Sequence, residues 1–150
     1  MKVYYAHCLA IYDTPQEDRD IALLTVLGFQ VVNPNSLEVH DACANIRALS
    51  KAHLIHGDPS ARIMEEIFRP LVLSCDALAF RALPDGRIPA GIAKEIRYAQ
   101  IGWGGEQVIP IFELPANVPS RVMSVEATQT YLHEIGQRDD DRTPLAPPAS

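Results

Sequence analysis

The residues best equipped for chemistry gather in one stretch of the chain. Glu95 follows Gly91 by four positions, in a segment that opens at Pro89. That segment reads as a helix with Ile92, Ile96 and Ala99 on its apolar face and Glu95 in its first turn. A helix start carries free N–H groups and partial positive charge. A carboxylate there stays ionised, as a nucleophile must. The plainer alternative is a surface glutamate that stabilises the helix start. Gly91, lacking a side chain, lets a ligand approach the backbone. Just ahead, Pro84-Asp85-Gly86 is a turn signal, and Asp85 either binds a base or sugar hydroxyl or shapes that turn. Arg81 and Arg87 flank the same loop as candidate phosphate contacts, or as ordinary exposed arginines. Near the N-terminus, His7 is a candidate general acid or base-binding donor, or a loop histidine with a structural hydrogen bond.

These residues need a scaffold, and the pattern supplies one. Lys2–Ala6 is rich in β-branched and aromatic residues and predicts a first strand. Thr14-Pro15-Gln16-Glu17 is a helix start with a capping box, and Gly28 is its stop near Leu27. Phe29–Val32 predicts a second strand ending at the turn Asn33-Pro34-Asn35. A helical pattern covers Ala42–His53, with indistinct ends, and Asp58 caps another helix. Ile63, Ile67 and Leu71 share a face there, and Pro70 predicts a kink or break. Asp76–Arg81 is a third strand, Leu83–Arg87 a loop, and Gln107–Phe112 a fourth strand. Pro110 predicts an edge position or early end for that fourth strand. Val122 opens a short fifth strand and Val125–Ile135 a final amphipathic helix.

Alternating strands and helices predict an α/β fold. The expected form is a Rossmann-like or flavodoxin-like three-layer sandwich around a parallel sheet of 4–5 strands. Residues 1–136 form one domain in this reading, and 137–150, charged and then proline-rich, a disordered tail. Ligands of such sheets bind beyond the carboxyl ends of the strands. Tyr4–Cys8, Asn33–Ser36, Arg81–Gly91 and the segment after Phe112 all arrive there, which makes Asn33 a candidate substrate contact.

Composition narrows the function. The 150 residues carry a formal net charge of −6 and no Lys/Arg run, which disfavours a nucleic-acid polymer as partner. No apolar run approaches the ~20 residues of a membrane helix. Cys8, Cys43 and Cys75 form no C-x-x-C pair and read as buried thiols of a reducing, cytoplasmic compartment. His40, His53 and His56 follow no zinc spacing, so neither metal nor cofactor is expected.

One set of motifs carries a resemblance. It comprises Ser74-Cys75-Asp76-Ala77-Leu78-Ala79-Phe80, then Asp85-Gly86, then Gly91, Glu95 and Tyr98-Ala99. This set resembles the nucleoside 2-deoxyribosyltransferase family, including its nucleoside 5′-monophosphate N-glycosidase relatives. Val3-Tyr4-Tyr5-Ala6 looks like that family's opening strand with its pocket tyrosine. Leu27-Gly28-Phe29, Val31 and Pro34 match its second block, so the resemblance spans roughly residues 1 to 113. It implies cleavage or exchange of the N-glycosidic bond of a nucleoside or nucleotide, with Glu95 attacking the anomeric carbon. A covalent sugar ester then resolves with water or a second base. The pocket tyrosine is Tyr4, with Tyr5 its rival, because a shift of one residue swaps faces. The resemblance also implies a homo-oligomer. Two positions depart from the family. Phe68 and Arg69 stand where an aspartate positions or protonates the base, which leaves Glu65, Glu66, Asp85 and His7 as substitutes. Pro89 stands where a serine or aspartate holds phosphate or base. A non-catalytic nucleotide-binding module is therefore the alternative reading.

Overall fold

The structure, a computed structural model, describes residues 1–102 and 108–136. Four parallel strands form the central sheet: β1 (Lys2–Ala6), β2 (Gln30–Val32), β3 (Ala77–Phe80) and a fourth strand, Ile111–Glu113, in the order second, first, third, fourth. The chain steps from β1 to β2 on one side, then crosses to place β3 on the other. The switch point of the doubly wound sheet thus lies between β1 and β3.

Helix α1 (Pro15–Val26) makes the first crossover. Half of the expected capping box forms: Thr14 Oγ1 accepts from the Glu17 N–H, while the Glu17 carboxylate accepts from the Asp13 N–H, one residue before the cap; Pro15 sits where no N–H is needed. Gly28, with φ of 95°, ends it. The second crossover begins with α2 (Leu37–Lys51), five residues earlier than the pattern from Ala42 suggests, because Ser36 caps the Val39 N–H. It continues through α3 (Pro59–Ile63), a π-helical turn (Met64–Phe68) and α4 (Arg69–Leu73). The expected disturbance at Pro70 takes this form. Proline has no N–H to give and its ring crowds the carbonyl four residues back, so the helix widens instead of breaking.

Side-chain alternation along β1 and β3 sorts the core into two halves. Val3, Tyr5, Ala77 and Ala79 face α1 and pack with Leu24 and Leu114. Tyr4, Ala6 and Leu78 face the other way, against Val39, Cys43, Phe68, Val72, Ile92 and Tyr98. The architecture is therefore a three-layer α/β/α sandwich.

Two expectations change after β3. Arg87–Ile88 forms a short strand, β4, within the segment read as a loop and helix start. It pairs in parallel with Arg121–Val122. The strand foreseen at Val122 therefore joins a separate two-stranded sheet and not the central one. With the central edge strand numbered β5 and Arg121–Val122 β6, the remaining helices are α5 (Ala90–Ile101) and α6 (Val125–Glu134). Strand β5 begins just after Pro110, whose carbonyl accepts from the Leu78 N–H at the sheet edge. Gln107 of the strand expected there, Trp103 and the tail from Gln137 lie outside the described residues.

Candidate active site

A cavity of about 350 Å³ opens beyond the carboxyl end of β1. His7, Cys8 and Leu9 enter it from the strand end, Arg47 from α2, Ile63 and Met64 from the α3 side, and Glu95 from α5. Helix α6 closes it with Thr128, Gln129 and Leu132. Its position matches the general rule for doubly wound sheets.

Glu95 lies on the floor of this cavity and is only 5% exposed. Helix α5 starts at Ala90, so Glu95 is in the second turn and not the first. The influence of a helix start fades within one turn, so the macrodipole does not hold this carboxylate. Tyr4 does. Its hydroxyl, fully buried under the site, donates to Glu95 Oε1 at 2.9 Å. The buried stripe of α5 runs through Ile92, Glu95, Tyr98 and Ala99, and Ile96 is only partly buried. A carboxylate on a buried stripe needs a donor, and a tyrosine at the matching register of the central strand supplies it.

The start of α5 is completed from outside. Pro89 occupies the cap position and offers no side-chain acceptor. Thr128 of α6 takes that role, its Oγ1 accepting from the Ala90 N–H at 2.9 Å. Gly91 follows at the cavity wall, where an added Cβ meets nothing within 4 Å.

His7 reaches the cavity wall but has both ring nitrogens engaged. Nδ1 donates to the Tyr5 carbonyl at 3.0 Å, since a carbonyl only accepts. Nε2 lies 2.7 Å from Glu17 Oε2. Burial pushes the imidazole below its ordinary range, against the opposing pull of Glu17. The ring stacks on Tyr5 at 3.8 Å between centroids and leans on Tyr12. His7 thus shapes the wall and ties α1 to β1.

Four other sequence candidates lie elsewhere. Tyr5 faces α1, and its hydroxyl donates to Asp20 Oδ2 at 2.6 Å. Burial raises the Tyr5 phenol, with Asp20 adding to the effect. Arg81 continues the alternation of Ala77 and Ala79 and lands on that same face. It grips Asp20 through two nitrogens at 2.9 and 2.6 Å and also donates to the Pro115 carbonyl. It is neither a solvent arginine nor a cavity contact. Burial works against the Asp20 charge, but the bonds from Arg81, Tyr5 and Gln16 prevail and hold its carboxyl below the usual range. Asn33 turns its Oδ1 onto the Asn35 N–H at 2.9 Å, a turn-forming bond. Asp85 is exposed and pairs with Arg87 at 2.6 Å, so it shapes its turn and stands off the cavity.

The cavity residues Arg47, Ser60, Thr128 and Gln129 carry no sequence signal, and two more are met there in other roles, Asp58 as a helix cap and Phe68 in place of the family's aspartate. Arg47 is the most informative of these. It falls within the segment whose pattern was hardest to place, and only its burial singles it out. No family model, curated protein or solved structure matches this chain. Among the described residues, no group of three or more His, Cys, Asp or Glu is placed to hold a metal ion. Among those residues, too, no helix is long and apolar enough to cross a membrane.

Proposed function

We propose that this chain cleaves or transfers at the N-glycosidic bond of a nucleoside, deoxynucleoside or nucleoside monophosphate, with Glu95 as nucleophile. One observation carries the reading: a buried carboxylate on the cavity floor, fixed by the Tyr4 hydroxyl at 2.9 Å. A carboxylate so held meets a sugar at a defined angle, without the reorganisation that a solvated one requires. Glu95 bonds to the anomeric carbon as the carbon–nitrogen bond breaks. The electron pair leaves with the base, which takes up a proton from solvent. Water then hydrolyses the sugar ester, or a second base displaces the carboxylate. No cofactor enters this scheme, and the three thiols fit a reducing, cytoplasmic setting. The resemblance adds a homo-oligomer to the proposal.

One observation favours the other reading, a nucleotide-binding module without turnover. Asp85, a candidate for the acid that handles the leaving base, sits on the surface in a pair with Arg87. Incubation with the four 2′-deoxynucleosides and their 5′-monophosphates, followed by chromatography of free base, separates the two. Base release that disappears in Glu95→Gln is the expected result. Ligand binding without release, unchanged by that substitution, leaves only the module.

A further inference from the structure

The turn Pro84-Asp85-Gly86 stands off the cavity, yet it holds the segment that covers it. The Gly86 carbonyl accepts from the Arg121 N–H and the Ile88 carbonyl from the Met123 N–H, both at 2.7 Å. The Asp85 carbonyl accepts from the Arg121 guanidinium at 3.0 Å. A Cβ on Gly86, whose φ is 88°, would overlap the Pro119 carbonyl oxygen, so only glycine lets that segment lie so close. Beyond this anchorage α6 is held lightly. Of its ten residues only Thr128 and Leu132 are buried, a stripe one side chain wide. Leu132 packs in a small apolar cluster with Cys8, Ile11, Leu83 and Met123, separate from both halves of the sandwich core. Thr128 Oγ1 accepts from the Ala90 N–H, and the Arg87 guanidinium lies 4.9 Å over the Tyr131 ring. Residues 114–120, which lead to β6, contain neither helix nor strand.

We propose that α6 is a hinged lid over the cavity, with the β4–β6 pairing as its fixed base and Thr128 as its latch. The inference holds for any ligand of the cavity and does not rest on the glycosidic reading. Lifting α6 gives up the Thr128 bond, the Tyr131 contact and the burial of Leu132, while β6 keeps its backbone bonds to β4. A unit attached by so little opens far more often than the sheet it rests on. Opening widens the way to Glu95, which is only 5% exposed with α6 in place. Closing shuts out water and gives the Ala90 N–H its acceptor. The start of the helix that carries Glu95 is therefore complete only with the lid down. Thr128 acts as a positioning residue that couples closure to that helix.

Alkylation of the whole chain by N-ethylmaleimide, resolved by peptide mass spectrometry, tests the lid. Cys8 packs against Leu132 of α6, whereas Cys43 lies in the sandwich core. Without denaturant, Cys8 is expected to react at least roughly 10-fold faster than Cys43. Its rate is expected to rise little with urea below the unfolding transition, since lid opening exposes little surface. Cys43, fully buried, is expected to wait for global unfolding and to follow its steep urea dependence. Thr128→Val is expected to speed the labelling of Cys8 roughly 5-fold, and Thr128→Ser, which keeps the hydroxyl, to leave it within about twofold. Leu24→Ala, on the α1 side of the sheet, is expected to speed Cys43 roughly 10-fold or more and to leave Cys8 unmoved. Labelling of Cys8 in step with Cys43 overturns the lid, because α6 then opens only with the whole molecule. Labelling of Cys8 at the rate of an unfolded peptide's thiol, whichever residue stands at 128, overturns it too, because the cavity is then open already. Should Leu24→Ala fail to fold, the urea dependences of the two thiols in the unaltered chain decide the question.

Discussion

Tyr4 and Tyr5 are neighbours in sequence, both fully buried, and each donates its hydroxyl to a carboxylate on a helix. Their surroundings differ. On the Tyr5 face, Asp20 is also gripped by Arg81 through two bonds, and the pair closes into packed protein between α1 and the end of β3. Charge, countercharge and hydroxyl there form a finished structural unit. On the Tyr4 face, Glu95 borders a cavity of about 350 Å³. The same hydrogen bond therefore serves as a clasp on one side of the sheet and as a mount on the other. What separates the roles is not the residue pair but whether empty space remains beside the carboxylate.

The sharpest way to break this comparison is to remove each carboxylate. On the proposed glycosidic reading, Glu95→Gln is expected to reduce base release by roughly 10³-fold or more, while the urea midpoint changes little. Asp20→Ala is expected to do the reverse. It strands Arg81 without its countercharge and costs about 3–5 kcal/mol in urea unfolding. If Asp20→Ala leaves stability intact, the clasp is not one.

The tyrosines give the next contrast. Tyr5→Phe removes one donor from Asp20 and is expected to cost about 1–3 kcal/mol, with kcat within twofold of the parent. Tyr4→Phe frees the mount, so kcat is expected to fall by roughly 10- to 100-fold with a smaller change in KM. Equal effects of the two on kcat would erase the distinction between the faces.

The smallest effect concerns His7, which ties α1 to β1 through Tyr5 and Glu17. Burial lowers its proton affinity relative to the unfolded chain, where 6.5 is the ordinary value. The unfolded chain then binds the proton first as the pH falls. The contribution of His7 to stability is full above about pH 6.5 and declines below it. Urea midpoints from pH 7.5 to 5 are expected to show this decline, and His7→Gln to flatten it. An unchanged slope in His7→Gln assigns the decline to other groups.

Much of the scaffold is legible along the chain because its determinants are local. Thr14, Ser36 and Asp58 accept from N–H groups two or three residues ahead, so short-range pattern marks the helix starts they create. The start of α2 is overlooked all the same, since Ser36 is followed by a sparse apolar pattern. The strands β1 and β3 show in their apolar runs. The site is less legible. Arg81 and Tyr5 carry the right chemistry for a pocket, but alternation sends both to the α1 face, where Asp20, far away in sequence, claims them. Arg47 and Thr128 give no local signal at all, and each matters only through an element distant in sequence.

By itself the sequence determined the order of the four central strands and the helices between them, the caps at Thr14 and Asp58, and the presence of a glutamate just after a proline–glycine helix start. Those features depend on residues within a turn or two of one another. Tertiary structure alone decided which tyrosine meets Glu95, that α6 caps α5, and that an arginine of α2 shares the cavity floor. Each of these is a meeting of segments tens of residues apart, governed by strand register and helix packing, and a one-residue shift in β1 would have exchanged the two faces.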